Sequence, residues 1–569
     1  MESKLCRVTT LRGLGKSAEK GELSAVRNMS ADAFPYLKTR GRRSVIRRMH
    51  QPQGLFSDGT LAYVDGGRLY YGGYEIEGIF LSEGEKTVLR LGEYLLVFPD
   101  GIYYNIGDGS DYGTLSVTNT ADGGRICCVD THFTELDCSV VTQPPDEAAV
   151  GAHCAIKMSD GTLKIKRYNG VYWYDVDTLI KLEAEGIGNG IRVGDTVSLT
   201  GAEAIGRSMT VAAREPSALY CVGAVASEIL VLGSITVRRR IPIFDLVTVS
   251  GGRLCGVRRG RDLDGRIVCR MYLSRENDPF VFLPEGGGAE LDLDLSGVFT
   301  GLCDHMGSPV AFTEGEIIET RIKGGGLIAT VVRGFGVMQG AHKSIASLDG
   351  SIYYLSPVGI CRYDGSYPEC IHSSPDGLKR SDGGSPAVAA KGKYYINLTD
   401  KYSLNAIYIY DIKNKRIVTE DPLYATALVK RRESVYALSA DGELVLLDRD
   451  SASEPDYLLS EDAAQDEEEV YFYAETPDIG LADFGSVSPV RVTLRVKKPS
   501  GAALRVAIRY NGCEAEEAVE LKGEINGLAA VPIPVKRCES FRLIISGEGD
   551  VTIGGYSVEY RSEGAVLWR

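Results

Sequence analysis

Residues 344–371, SIASLDGSIYYLSPVGICRYDGSYPECI, constrain the fold more than any other stretch of the chain. Ile345 and Ser347 lead into Asp349-Gly350, and Ile352, Tyr353, Tyr354 and Leu355 follow. Ile360, Cys361, Arg362 and Tyr363 then form a further strand, ending at Asp364-Gly365. Asp-Gly between β-formers predicts a tight hairpin, because both central residues of that turn take positive φ. The same phrase recurs at Asp58-Gly59, Asp65-Gly66, Asp100-Gly101, Asp160-Gly161 and Asp441-Gly442. Around it apolar residues alternate, as in Leu61, Tyr63, Leu69 and Tyr71. A period of two places one side-chain set on each face of a sheet. The chain is therefore expected to be all-β, made of short, local, antiparallel strands. About seven such units, each of roughly 35–45 residues, predict a β-propeller of four-stranded blades. Tyr353, Tyr354 and Tyr363 then read as packing within a blade.

A chain of 569 residues exceeds one ordinary core, so several domains are expected. The 67 Gly and 31 Tyr, against 2 Trp and 6 His, suit many short strands and tight turns. A net charge of −14 argues against a nucleic-acid binder that works by neutralising phosphates. The 13 Cys are scattered, odd in number and without metal-ligand spacing, which predicts buried, reduced thiols in a protein folded in the cytosol. The N-terminus lacks the apolar run of a signal peptide, and no apolar stretch reaches the ~18 residues of a membrane span.

Changes in pattern divide the chain. Residues 1–50 are polar and basic and read as an extended arm carrying Arg40, Arg42, Arg43, Arg47 and Arg48. Residues 51–182 hold the first blades with an irregular excursion. Residues 183–240 change character and read as an inserted small β-barrel ending in Arg238, Arg239 and Arg240. Residues 241–455 resume the hairpins. Residues 456–469 are acidic and read as a linker that includes Asp466-Glu467-Glu468-Glu469. Residues 470–569 carry long alternating strands, the pattern of a β-sandwich. The eight arginines are the candidate interaction residues, facing an acidic partner or nucleic acid; the alternative for the arm cluster is a solvated surface. Three consecutive arginines on an alternating strand cannot all face a core.

Catalytic signatures are weak. Residues 12–17, RGLGKS, brush two phosphate-binding motifs, but Thr10 stands where a P-loop needs Gly and no βαβ strand precedes. Asp292 and Asp294 alternate on one strand face, as a Ca²⁺ site would need, without the loop spacing of a known calcium motif. Ser57-Asp58-Gly59-Thr60 and Ser159-Asp160-Gly161-Thr162 are shortened relatives of the Asp boxes of sialidase-like glycosidases and lack their Trp. Ordinary turn chemistry accounts for them. No catalytic residue, cofactor or metal ligand is assigned.

Several phrases carry a family likeness. They are GELSAVRNMSADAFPYLKTRGRR, GLFSDGTLAYVDGGRLYYGG, LGEYLLVFPDGIYYN, GIRVGDTVSLTGAEAIGRSMTV, RRRIPIFDLVTVSGGRLCGV, RENDPFVF, GAHKSIASLDGSIYYLSPVGICRYDG and, near the C-terminus, ETPDIGL with RVTLRV. With this order of parts the chain resembles virion structural proteins of tailed bacteriophages and prophages. More loosely, it is similar to the propeller-bearing nozzle or packaged-DNA stabilisation proteins below the portal. That resemblance implies a non-enzymatic ring, most simply of six copies, in the tail or at the head–tail junction. It implies portal, adaptor or tail proteins as partners, DNA passing through a lumen without sequence-specific binding, and location in a virion assembled in the host cytoplasm. The alternatives are a tail-tip receptor- or glycan-binding protein and a glycoside hydrolase.

Overall fold

The computed structural model describes residues 2–159, 162–201, 208–282, 284–323, 326–373, 378–450, 465–481, 485–516 and 519–563. Among these, regular structure is all strand apart from three single turns of 3₁₀ helix. The expected hairpins are present. Ala346–Leu348, Ser351–Ser356, Gly359–Tyr363 and Glu369–Ser373 pair in sequence order as one antiparallel meander. Its first turn is Asp349-Gly350, with φ of 50° and 72°. These left-handed values match the right-handed twist of the flanking strands. Tyr353, Tyr354 and Tyr363 are buried.

The same four-stranded meander recurs over residues 52–75, 87–114, 246–292, 301–333 and 387–421. A further one consists of Ala425–Arg431, Ser434–Ser439 and Glu443–Leu446, and takes its fourth strand, Ser44–Arg48, from the other end of the chain. Apart from that fourth strand, the connections within each meander are short, so its strands pair with their neighbours in sequence.

The contacts divide the chain into two compact units. The first comprises Met1–Lys86, Phe312–Ile317 and Val331–Arg569. In it, two sheets face each other across a core that includes Val492, Leu494, Leu504, Val506, Leu543, Ile545, Tyr556 and Val558. One sheet pairs Ser486–Lys498 with Thr552–Glu563 and Ile525–Val531; the other pairs Phe541–Glu548 with Ala503–Tyr510 and Tyr471–Glu475. This is the sandwich expected for the C-terminal region, but it is not built from that region alone. Glu2–Val8 and Leu37–Thr39 pair with Thr552–Glu563, and Ala25–Arg27 pairs with Tyr471–Glu475. The extended arm expected for residues 1–50 is therefore corrected: it is five short strands. Met29–Ser30 pairs with nearby Leu37–Thr39, but the other partners lie hundreds of residues away; burial of Cys6, Val8, Leu23, Val26, Met29 and Leu37 in the sandwich core holds the first four strands there.

The expected acidic linker is corrected in part. Residues 456–464 lie outside the described residues, whereas Gln465–Asp466 pairs with Ser44–Arg48.

The second unit comprises Thr87–Ala311 and Ile318–Thr330. Within it Val117–Asp130, Thr178–Glu183, Ala218–Val222, Met209–Glu215, Thr196–Thr200 and Ile229–Arg239 pair in that order. The last strand pairs back onto the first, so the sheet closes on itself. Ile126, Ile180, Leu182, Val197, Leu199, Leu219, Ile235 and Val237 fill its interior. The excursion expected to begin at residue 183 thus begins near residue 117, because the long first strand is the one on which closure occurs. A separate four-stranded sheet, from Ser139–Val141 to Trp173–Val176, lies within this excursion. All thirteen cysteines are unbridged, and most are buried.

Candidate functional site

The five arginines of the N-terminal region were expected to meet a partner. Each is instead engaged within the chain. Arg40 Nη1 and Nη2 donate to the Glu467 carboxylate at 2.7 and 2.8 Å, and its Nε donates to Asn28 Oδ1 at 2.9 Å. Arg42 pairs with Asp450 at 2.9 Å. Arg43 pairs with buried Asp421, and its backbone N–H donates to Glu467 at 3.0 Å. Burial, reinforced by the neighbouring Arg40 charge, pushes the Arg43 guanidinium down to about 9. Arg47 lies over the stacked rings of Tyr63 and Tyr70, 5.3 and 5.0 Å from their centroids. Arg48 Nε donates to Glu443 at 3.1 Å. This cluster fastens the N-terminal strand to its sheet and to the Glu467 segment. Arg40 and Arg43 form an internal clamp, because acidic residues far along the chain converge on them, whereas Arg42 and Arg48 stay at the surface, 51% and 61% exposed, in ion pairs.

Other motifs resolve in the same way. In residues 12–17 the backbone N–H groups of Lys16 and Ser17 donate to the Glu22 carboxylate at 2.9 Å each, so the chain's own anion occupies the loop. Asp58 accepts the Thr60 N–H at 2.9 Å, an ordinary Asx turn. Asp160-Gly161 lies outside the described residues. Asp292 is held by Arg270 at 2.6 and 2.9 Å. No group of metal-ligating side chains occurs among the described residues.

The arginines at 238–240 behave differently. Arg238 and Arg239 end the strand Ile229–Arg239, whose alternation sends Arg239 inward and Arg238 to the opposite face, and Arg240 follows the strand and is exposed. Arg239 is 1% exposed. Its Nη1 donates to Asp195 Oδ2 at 2.6 Å and to Gly190 O at 3.0 Å; Nε and Nη2 donate to the carbonyls of Leu115 and Thr114 at 2.9 and 3.0 Å. The guanidinium also lies 4.7 Å from the Phe280 ring centroid. Arg239 is thus a structural residue and not an interaction residue. Arg192 closes the same region, 4.5 Å from Phe280 and hydrogen-bonded to Tyr94 at 2.8 Å.

Arg238 and Arg240 open onto a cleft of about 310 Å³. Thr196, Val197 and Ser198 form one wall beside Arg238. Tyr272, Phe280 and Phe282 back it as buried core residues, and Asp262, Asp264 and Glu290 line the remainder with Arg270. Arg270 is already neutralised by Asp292 and by Glu290 at 2.9 Å. Burial pushes the Tyr272 hydroxyl above its ordinary value, so it stays protonated at neutral pH. Arg238, Arg240 and Asp264 make no ion pair among the described residues. The Thr196 Oγ1 is buried and lacks a hydrogen-bond partner. The arginine run was legible in sequence, as was Phe280 within RENDPFVF; Thr196 and the acidic wall carried no signal, because turns distant in sequence bring them in.

No protein-family model and no curated protein sequence matches the chain. Among solved structures it is similar to BamB from Moraxella catarrhalis, with 11% identity and a TM-score of 0.22 over 53% of this chain and 98% of that one. It is also similar to the WD40 domain of SCAP from fission yeast, with 9% identity and a TM-score of 0.21 over 89% and 98% of the two chains. A Trypanosoma rangeli sialidase bound to the inhibitor DANA gives 8% identity and a TM-score of 0.20 over 83% and 90%. At such scores these likenesses carry no argument about activity.

Proposed function

We propose that the chain is a structural component of a phage-type virion. In this reading the seven meanders are blades of one propeller, the closed sheet is a small inserted barrel, and the sandwich is a peripheral module. The protein forms a ring, most simply of six copies, in the tail or at the head–tail junction, and has no catalytic role.

Beyond the sequence resemblance, the observation that carries this reading is the apolar surface of the excursion within the second unit. Leu232 is 96% exposed and Leu230 65%, on neighbouring same-face positions of one strand. On the sheet between residues 139 and 176, Val140, Val150, Val171 and Tyr172 are also exposed. Large apolar side chains left exposed in this way are what a neighbouring copy would cover. A net charge of −14 suits a conduit through which DNA slides. Mass spectrometry of purified particles tests the proposal: the chain is expected among the virion proteins, and its absence from particles refutes the reading.

A second reading, a receptor- or glycan-binding module at the tail tip, is favoured by one feature, the cleft onto which Arg238 and Arg240 open.

A further inference from the structure

We propose that the outer face of the sandwich sheet formed by Glu2–Val8, Thr552–Glu563 and Ser486–Lys498 is a docking surface for a second copy of this chain, which presents to it the acidic, aromatic edge at residues 74–85. This deepens the assembly reading and rests on it.

Alternation decides what this face displays. Cys6, Val8, Val492, Leu494, Tyr556 and Val558 point into the core, so Leu5, Arg7, Arg491, Arg495, Ser557 and Glu559 point out. Arg7 stands beside Ser557 of the middle strand; Arg491 and Arg495 lie beyond that strand, opposite Glu559 and Gly555. Gly555 and Ser557 are small, so the arginines rise on either side of a trough of about 450 Å³. Gly554 leaves the space that the Arg495 stem occupies: a Cβ there would lie 3.0 Å from its Cγ and Cδ. All three arginines are exposed, and none makes an ion pair or side-chain hydrogen bond among the described residues. Glu559, the one acidic residue in the lining, accepts from the Ser3 hydroxyl at 3.4 Å.

Charge and spacing narrow the occupant. Unpaired guanidiniums call for carboxylates or phosphates. Two strand spacings put Arg7 about 10 Å from the far row, and four residues put Arg491 and Arg495 about 13 Å apart. One small anion cannot reach all three, so the occupant carries several anions spaced along it. A nucleic acid meets a chain of net charge −14, which repels it at a distance. It also gains nothing from Leu5 and Leu528, exposed on opposite sides of the trough. Exposed leucines around arginines match the composition of a protein–protein contact.

The chain carries a complementary surface. Tyr74–Glu75 is the outer strand of the first meander, and Tyr74 and Phe80 are exposed. Glu75 pairs with Arg68 at 3.4 Å and Glu85 with Lys343 at 2.6 Å, whereas exposed Glu77 and Glu83 have no cationic partner among the described residues. Carboxylates beside exposed aromatic rings thus face arginines beside exposed leucines. The two surfaces differ, so the contact is head-to-tail, the kind that closes a ring when its rotation allows.

The test is sedimentation and light-scattering mass of the full chain at about 0.05 M and about 0.5 M salt, where exposed ion pairs are strong and then screened. The parent is expected to self-associate more weakly at the higher salt. R491E/R495E and E77R/E83R are each expected to weaken association about ten- to a hundredfold. R238E/R240E, the same change of charge on another strand, is expected to leave it unchanged. R491E/R495E/E77R/E83R exchanges the signs on both surfaces and is expected to regain the parental mass. Circular dichroism confirms folding, and R491Q/R495Q carries the test if the reversed variant is unfolded. A parent that stays monomeric at every concentration overturns the assembly reading and this proposal together. A parent that assembles overturns this proposal alone if R491E/R495E assembles equally well, if R238E/R240E lowers the mass as much, or if the fourfold variant does not recover. Saturable binding of a DNA duplex that R491E/R495E abolishes, with self-association intact, overturns it as well.

Discussion

Replacing Arg239 by Met tests the most concentrated interaction in the second unit. Arg239 and Asp195 are 1% and 3% exposed at their side chains and lie 2.6 Å apart. Met keeps much of the apolar stem but removes every donor. Asp195 then retains one hydrogen bond, from the Arg192 N–H at 2.7 Å, and loses its countercharge inside the protein. The carbonyls of Thr114, Leu115 and Gly190 lose their side-chain donors as well. Breaking a buried pair from one side costs about 3–5 kcal/mol, mostly from the stranded charge. For a unit of this size that lowers Tm by roughly 6–20 °C. Removing both charges, in D195L/R239M, is expected to cost less than R239M alone, because no charge is stranded. The assay is urea unfolding followed by Trp173 emission in a W568F background, since Trp173 lies in the same unit as Arg239. If R239M unfolds within about 0.5 kcal/mol of the parent, the size of an ordinary surface substitution, the buried-pair argument is wrong.

Further outcomes follow from the other unit and from the exposed patch. Ile46 is fully buried in the N-terminal strand that completes a C-terminal sheet, so I46A is expected to cost about 2–5 kcal/mol in chemical denaturation; an arm without fixed structure would show no loss. Burial pushes the Glu467 carboxyl up, but hydrogen bonds from Arg40 outweigh it and hold it below its ordinary 4.5, while Arg542 holds Asp478 below 3.8. Depressed carboxylates stabilise the fold fully above those ordinary values, and the contribution is lost as pH falls through the folded-state values. Urea midpoints are therefore expected to fall as pH drops below about 4.5, and less steeply in E467Q, which lacks one of the two groups; a slope unchanged by E467Q contradicts that assignment. Asp substitution at Leu232 and Val171 is expected to leave the monomer folded and to shift light-scattering mass toward monomer.

The strands were legible wherever the pairing is local. Asp349-Gly350 announces its hairpin because turn and both strands lie within about a dozen residues. At Asp65-Gly66 the turn falls one residue later, with Gly66 and Gly67 at φ of 57° and 75°, since either glycine tolerates that geometry. The pairing of Glu2–Val8 with Thr552–Glu563 was not legible. A short strand with modest alternation carries no information about a partner more than five hundred residues away. The same limit hid the clamp: Arg40 and Arg43 look like a free basic patch until the fold brings Asp421 and Glu467 beside them. At residues 238–240 alternation did give the inward and outward arrangement, but not which arginine faced in. That depends on Asp195 and on carbonyls contributed by distant loops.

The central claim is that this chain is built to assemble. Native mass spectrometry of the purified full-length protein, paired with negative-stain imaging, addresses it most directly. The account predicts a closed ring, most simply a hexamer, that L232D and V171D dissociate. A monodisperse monomer at every concentration, together with absence of the protein from purified virions, would contradict it.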